Sequence, residues 1–179
     1  SNCPKWRSTT VTSNFCRGFY SYAHLYNLPQ TGLRFFTVYG AWGRHDMALF
    51  IFTKAISEGK KVPVFNGGEM KRDFTYIDDI VDGVLAALDK PPETKETPPH
   101  RIFNLGNTHS EDLMDFIRLI EQELGQKADI EMQDMQAGDV CETFADINQT
   151  TEQLGYRPKT RIAEGIPHFI AWYRNFYGV

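Results

Sequence analysis

The chain has 179 residues, of which 41% are hydrophobic and 13% aromatic, enough for one domain with a real core; a chain of this size buries roughly 70% of its unfolded surface. A net charge of −4 offers no basic excess for nucleic acid, and the longest apolar run, Met47 to Phe52, is far too short to span a membrane. With no hydrophobic signal core at the polar N-terminus, a soluble cytoplasmic protein is expected.

Residues 1–13 show neither helical nor strand periodicity and read as a loose arm. From Asn14 to Tyr26, Phe15, Phe19, Tyr22 and Tyr26 recur at three- and four-residue spacing and predict a helix that Pro29 ends. Leu33 to Val38 is apolar and β-branched except for Arg34, the pattern of a parallel strand buried on both faces. Asp46 then caps a helix running to Ser57, with Gly59 as its left-handed stop. Val62–Phe65 and Arg72–Tyr76 read as short strands around an Asn66-Gly67-Gly68 turn. Asp78 caps a helix striped by Ile80, Val81, Val84, Leu85 and Leu88 and closed at Lys90-Pro91. Pro91–Pro99 is a loop and Arg101–Leu105 a buried strand. Ser110–Leu124 reads as a helix with an acidic first turn, Glu111 and Asp112, stopped by Gly125. Ile130–Met132 predicts a strand, Asn148–Leu154 a short helix and Ile162–Tyr177 a terminal amphipathic helix. Strands separated by helices make an α/β fold with parallel pairing through right-handed crossovers.

Three cysteines, widely spaced and without C-x-x-C, predict inert thiols, neither a disulfide framework nor a zinc site. The five histidines have no metal-ligand spacing, and no Ser/His/Asp arrangement emerges, so neither a metal site nor a catalytic triad is expected. Asp78 and Asp79 do not face one another on a helix and read as capping groups. Thr37 stands at the C-terminal end of the buried strand and Arg44 at the end of the following loop. Ligands of open α/β sheets bind beyond the carboxyl ends of strands, so both could face a crevice; taken alone, they read more readily as a strand residue and a solvated cation.

The run Thr31-Gly32-Leu33-Arg34-Phe35-Phe36-Thr37-Val38-Tyr39-Gly40-Ala41-Trp42-Gly43-Arg44, with Asp46-Met47-Ala48 and Met70-Lys71-Arg72-Asp73-Phe74-Thr75-Tyr76-Ile77-Asp78-Asp79-Ile80, resembles the UDP-glucuronate 4-epimerases of the extended short-chain dehydrogenase/reductase family. The resemblance spans residues 20–179 and leaves 1–19 as a divergent N-terminal arm. It implies the C-terminal part of a Rossmann-like fold: the last parallel strands plus the small α/β substrate-binding domain.

By the same resemblance, Thr37 and Arg44 line the sugar pocket, with Arg44 suited to a uronate carboxylate through bidentate hydrogen bonds. Arg72 would reach the UDP diphosphate. Phe65, with the backbone of Val64, would cover the uracil ring, although alternation alone fits a core residue equally well. Gln136-Ala137-Gly138-Asp139-Val140 resembles the family turn in which an aspartate, here Asp139, accepts from the ribose hydroxyls. Gln136 stands where some relatives carry a second phosphate cation.

Two family motifs are absent from these 179 residues. No glycine-rich G-x-x-G-x-x-G or G-x-G-x-x-G turn occurs, and none of the eight tyrosines has a lysine four positions later. The helix that should carry that pair has Ser8 and Thr12 at the matching places. The resemblance therefore implies NAD in the complete enzyme but no cofactor and no catalytic residue in this chain, weak UDP-sugar binding and no epimerase activity alone. A non-catalytic sugar-nucleotide-binding or self-associating module and part of a UDP-uronate decarboxylase are the alternatives. In the implied sheet Leu33–Val38 lies between two neighbours, one outside these residues. Its open edge predicts a homodimer, through paired edges or packed aromatic N-terminal helices.

Overall fold

A computed structural model describes residues 5–7, 14–93, 98–135 and 139–179, with side chains from residue 18 onward. The elements in chain order are β1 (Lys5–Arg7), α1 (Asn14–Tyr26), β2 (Gln30–Phe35), β3 (Thr37–Tyr39), α2 (Ala48–Ser57), β4 (Lys61–Phe65), β5 (Lys71–Tyr76), α3 (Ile77–Asp89), β6 (His100–Leu105), β7 (Ser110–Asp112), α4 (Leu113–Leu124), β8 (Asp129–Gln133), β9 (Glu142–Phe144), α5 (Asn148–Leu154) and α6 (Ile162–Tyr177). Parallel pairs join β2 to β6, β3 to β5, β4 to β8, β5 to β9 and β1 to β9, and β7 runs antiparallel to β5. This is the mixed, largely parallel α/β arrangement expected. No helix of the described residues is long and apolar enough to cross a membrane.

The main core lies between the β3–β5 pair and helices α2, α4 and α6. Strand alternation turns Tyr39, Phe74 and Tyr76 to this side, where Phe74 stacks on Phe116 with centroids 4.1 Å apart and Tyr39 meets both edge-on. A smaller cluster of Ile80, Leu105, Ala145, Ile147 and Tyr156 forms apart from it. In this cluster's surroundings Asp73 is fully buried. Its carboxylate accepts from the backbone N–H of Asn107 (2.7 Å), Thr108 (3.1 Å) and Ala145 (3.0 Å) and from the Thr75 hydroxyl (3.2 Å). One side chain thereby ties the middle of β5 to the chain that leaves β6 and β9.

Several expectations are corrected. Leu33–Val38 is not one strand: the chain changes neighbours at Phe36, whose N–H donates to Leu105 O (3.1 Å), so β2 stays with β6 while β3 joins β5. Ser110–Asp112 is strand and not the first turn of a helix, because pairing to β5 outweighs helical periodicity. Asp46 does not cap α2, which begins after Met47, and Asp78 does not cap α3, which begins after Tyr76. Asp79 instead accepts from the Lys159 and Thr160 N–H groups (3.1 and 2.9 Å), tying α3 to the segment before α6. Within the arm read as structureless, Lys5–Arg7 is a strand on β9. Cys141 is disulfide-bonded, against the expectation of inert thiols; an odd cysteine count does not forbid one bridge.

Candidate functional site

β5 is the axis of the site. Thr37 is in register with Phe74, and Arg72 stands two residues earlier on the same strand. Alternation puts Thr37, Phe74 and Arg72 on one face of the sheet, with Arg72 about 7 Å upstream of Phe74 along β5. Thr37 and Arg44 line one small cavity of about 20 Å3, closed by Tyr39, Gly43, Phe74 and Phe116. Arg44 also borders an open groove of about 540 Å3 with Phe35, Phe36, Trp42 and Ile77. A larger cleft of about 690 Å3, between α2 and α6, contains none of the five candidate residues.

The loop between β3 and α2 is shaped by close packing. Gly40 has φ +144°, and a Cβ there would overlap the Ile77 side chain. A Cβ on Gly43 would come to 3.3 Å from the Phe50 ring. Arg44 follows and turns back on the chain: its Nε and Nη2 donate to Asp46 Oδ1 (3.0 Å) and Oδ2 (2.5 Å). Both side chains are largely exposed. The hydrogen bond to Asp46 raises the Arg44 pKa, and the same bond lowers that of Asp46.

Arg72 differs in setting. Its side chain is 16% exposed, and Nη2 donates to Asp139 Oδ1 at 2.9 Å while Nη1 donates to Lys71 O at 3.0 Å. Asp139 Oδ1 also accepts from the Val140 N–H at 3.0 Å. Burial lowers the Arg72 pKa, and the Asp139 charge and hydrogen bond oppose that shift. Phe65 ends β4, half-buried against the main core. Asn66 next to it donates to Glu69 O (3.2 Å) and to Cys141 Sγ (3.5 Å), and Lys71 N–H donates to Cys141 O (2.7 Å). These bonds hold the end of β4 beside the start of β5 and the chain following Asp139.

The structure thus brings Arg72 into contact with Asp139, sets the end of β4 that carries Phe65 beside them, and places Thr37 with Arg44. Gln136, and the turn it belongs to up to Gly138, lie outside the described residues. Asp46 and Asp73 were missed as partners in the sequence reading. For Asp73 a signal existed: an acid between strand residues that point to a core must find several donors. For Asp46 none did, since a carboxylate two residues from an arginine is ordinarily solvated. Among the described residues no cluster of three or more His, Cys, Asp or Glu could hold a metal ion.

The model of the NAD dependent epimerase/dehydratase family matches residues 17–106. The chain is 46% identical over 169 residues to UDP-glucuronate 4-epimerase 4 of Arabidopsis thaliana, covering 88% of this chain and 39% of that protein. It is 43% identical to protein CapI of Staphylococcus aureus, covering 88% of this chain and 51% of that one. Among solved structures, UDP-glucuronic acid 4-epimerase from Bacillus cereus in complex with UDP-glucuronic acid and NAD superposes with a TM-score of 0.78 at 29% identity, over 90% of this chain and 49% of that chain. The chain spans about half the length of the relatives it matches, or less. The described strands and helices therefore match one part of the extended Rossmann-like fold those proteins share.

Proposed function

The chain belongs to the NAD dependent epimerase/dehydratase family, and from that premise we propose that these residues form the nucleotide-sugar-binding wall of a UDP-glucuronate 4-epimerase. Arg72 takes the diphosphate, Asp139 the ribose hydroxyls and Phe65 one face of the uracil. Thr37 and Arg44 hold the sugar, with Arg44 pairing the uronate carboxylate. The observation that carries this reading is the meeting of Arg72 and Asp139 at 2.9 Å at the head of β5, the strand whose same face is in register with Thr37. One cation and one acceptor, half-buried at the start of an inner strand, form a site for an anion joined to a polyol.

We infer no dinucleotide site among the residues described. A pyrophosphate turn needs glycines that leave backbone N–H groups open to the ligand. The glycines of the β3–α2 loop are instead filled against Ile77 and Phe50, and α3 follows β5 with no intervening residue. We assign no hydride-transfer step, no catalytic residue and no NAD contact to this chain, and infer that it is inactive by itself. The cytoplasmic setting expected from the sequence and the homodimer belong to the same proposal. Support for self-association comes from β2, which pairs only with β6 among the described residues, and from the exposed Tyr22, Leu25 and Tyr26 of α1.

Calorimetric titration with UDP and UDP-glucuronate tests the reading. Weak, saturable binding of both is expected, because a wall open to water orders a ligand at full entropic cost. Binding that Arg72→Gln leaves unchanged would remove the proposal; submicromolar binding would mean that far more of a site is present than these residues supply. Sedimentation of the same sample reads the oligomeric state, and a clean monomer at micromolar concentration would refute the homodimer.

A further inference from the structure

The two groups assigned to the ligand are engaged with each other. Arg72 spends Nη2 on Asp139 Oδ1 and Nη1 on Lys71 O, so the guanidinium end that would meet an incoming phosphate is already occupied by an internal anion. Asp139 uses a single oxygen for this, and that oxygen is shared with the Val140 N–H. A one-oxygen contact is weaker than a two-oxygen fork, so a ligand with two phosphoryl oxygens can outcompete it. The pair is also more shielded than the Arg44–Asp46 pair: its side chains are 16% and 32% exposed, against 76% and 64%. At that depth a guanidinium stripped of its counter-charge is costly, and it draws in whatever anion is available.

The geometry points to a self-inhibiting contact: Asp139 acts as a built-in competitor for the diphosphate at Arg72, and ligand binds by exchanging one anion for another. This rests on the assignment of Arg72 and Asp139 to the nucleotide site and adds to it a linkage between the two. Once the diphosphate holds Arg72, the Asp139 carboxylate is released toward the ribose, so phosphate capture and ribose capture are coupled events. A ligand that has the diphosphate but no ribose opens the pair and gains nothing from the freed carboxylate. Inorganic pyrophosphate is that ligand, and UDP is its complement.

The test titrates inorganic pyrophosphate and UDP into the 179-residue chain, into Asp139→Asn and into Arg72→Gln. Asp139→Asn keeps the oxygen that accepts from Val140 but removes the competing charge. It should bind pyrophosphate roughly fivefold more tightly or better, the worth of a partly shielded ion pair, while UDP gains less or loses. Arg72→Gln should abolish pyrophosphate binding. If Asp139→Asn binds pyrophosphate no better than the unaltered chain while Arg72→Gln still loses it, the competition is wrong and the nucleotide site stands. If Arg72→Gln binds both ligands normally, or no form binds either, the site assignment and the inference fall together. Should Asp139→Asn not fold, the Asp139 carboxyl carbon resonance of the unaltered chain decides: it must shift on saturation with pyrophosphate, and an unmoved resonance with pyrophosphate bound overturns the exchange.

Discussion

At the centre of β5 the Asp73 carboxylate is fully buried and accepts four hydrogen bonds, whereas along β2 and β6 four buried atoms, Gln30 Oε1, Arg34 Nε, His100 Nδ1 and Arg101 Nη2, have no hydrogen-bond partner among the described residues, against Thr53 Oγ1 and Ser110 Oγ around β5. For apolar surface the contrast is one of degree. Phe74, Phe116 and Phe169 are sealed in the core, and Tyr22, Leu25 and Tyr26 of α1 are 59%, 70% and 64% exposed, although Trp42 beside α6 is 74% exposed. The interior of the body around β5 is closely packed. The flank of α1, β2 and β6 has unpartnered polar atoms, exposed apolar side chains and, among the described residues, a strand edge at β2. A ligand site belongs on the closed body, where its groups can be held still; the open flank is suited to association.

The contrast breaks most visibly at Asp73. Asp73→Ala leaves two buried backbone N–H groups, those of Asn107 and Ala145, and the partly buried N–H of Thr108 without this acceptor, each buried one costing about 1–3 kcal/mol. A loss of about 3 kcal/mol or more is expected in urea unfolding, and a loss below about 1 kcal/mol would show that water or another group takes over, so that the body is less closed than described. No single substitution of a solvent-facing α1 residue should approach this effect.

A matched pair of glycine substitutions tests both regions with the same chemistry. Gly165 in α6 faces the Tyr39 hydroxyl so closely that a Cβ would overlap it. Gly165→Ala should therefore destabilise by about 1–3 kcal/mol through overpacking. Gly18 in α1 has nothing within 4 Å of its notional Cβ and is exposed. Gly18→Ala should stabilise by about 0.5–1 kcal/mol, the ordinary gain of alanine inside a helix. Opposite signs in thermal or urea unfolding sharpen the comparison; the same sign at both positions breaks it.

His100 lies in this open flank, edge-on to Tyr20 of α1 with centroids 5.8 Å apart. Burial lowers its pKa below the ordinary 6.5. The unfolded chain therefore takes up a proton at a higher pH than the folded one, and this contribution to stability is present above 6.5 and lost as pH falls through the folded value. Amide exchange in α1, corrected for its intrinsic pH dependence, should quicken on acidification, and His100→Gln should flatten that response. Acceleration of equal size at Asp73-anchored amides such as Asn107 would place the titration elsewhere.

What could be read from the chain divides along the same line. Helices α1, α5 and α6 fall at the residues that the sequence marks, because helical signals are local, and Gly125 does terminate α4 with φ +71°. Strands β1, β7 and β9 were not legible, since three residues carry no alternation and their existence depends on a partner distant in sequence, Glu142 for Lys5 and Asp112 for Lys71. The break at Phe36 was hidden for the same reason: an unbroken apolar run says that a strand is buried but not where it changes neighbours. In the site, the types and positions of Thr37, Arg44, Arg72 and Asp139 were readable through the family pattern. Their present partners were not, because Asp46 and Asp139 are chosen by loop geometry that no spacing encodes.

The smallest expected effect concerns the Arg44–Asp46 pair, and it separates that pair from Arg72–Asp139. Both arginines hold a carboxylate, but Arg44 and Asp46 are two residues apart in an exposed loop, so their pairing costs little to make and little to lose. Asp46→Ala should leave the melting midpoint within about 2 °C of the original, since an exposed ion pair is screened and its side chains regain freedom on release. Salt should be equally without effect on the difference between the two forms. A larger fall would mean that the pair fixes the loop from Gly40 to Met47 through more than its charge. In that event Arg44 would count first as a loop anchor, and its assignment to the uronate carboxylate would need a second conformation of the loop.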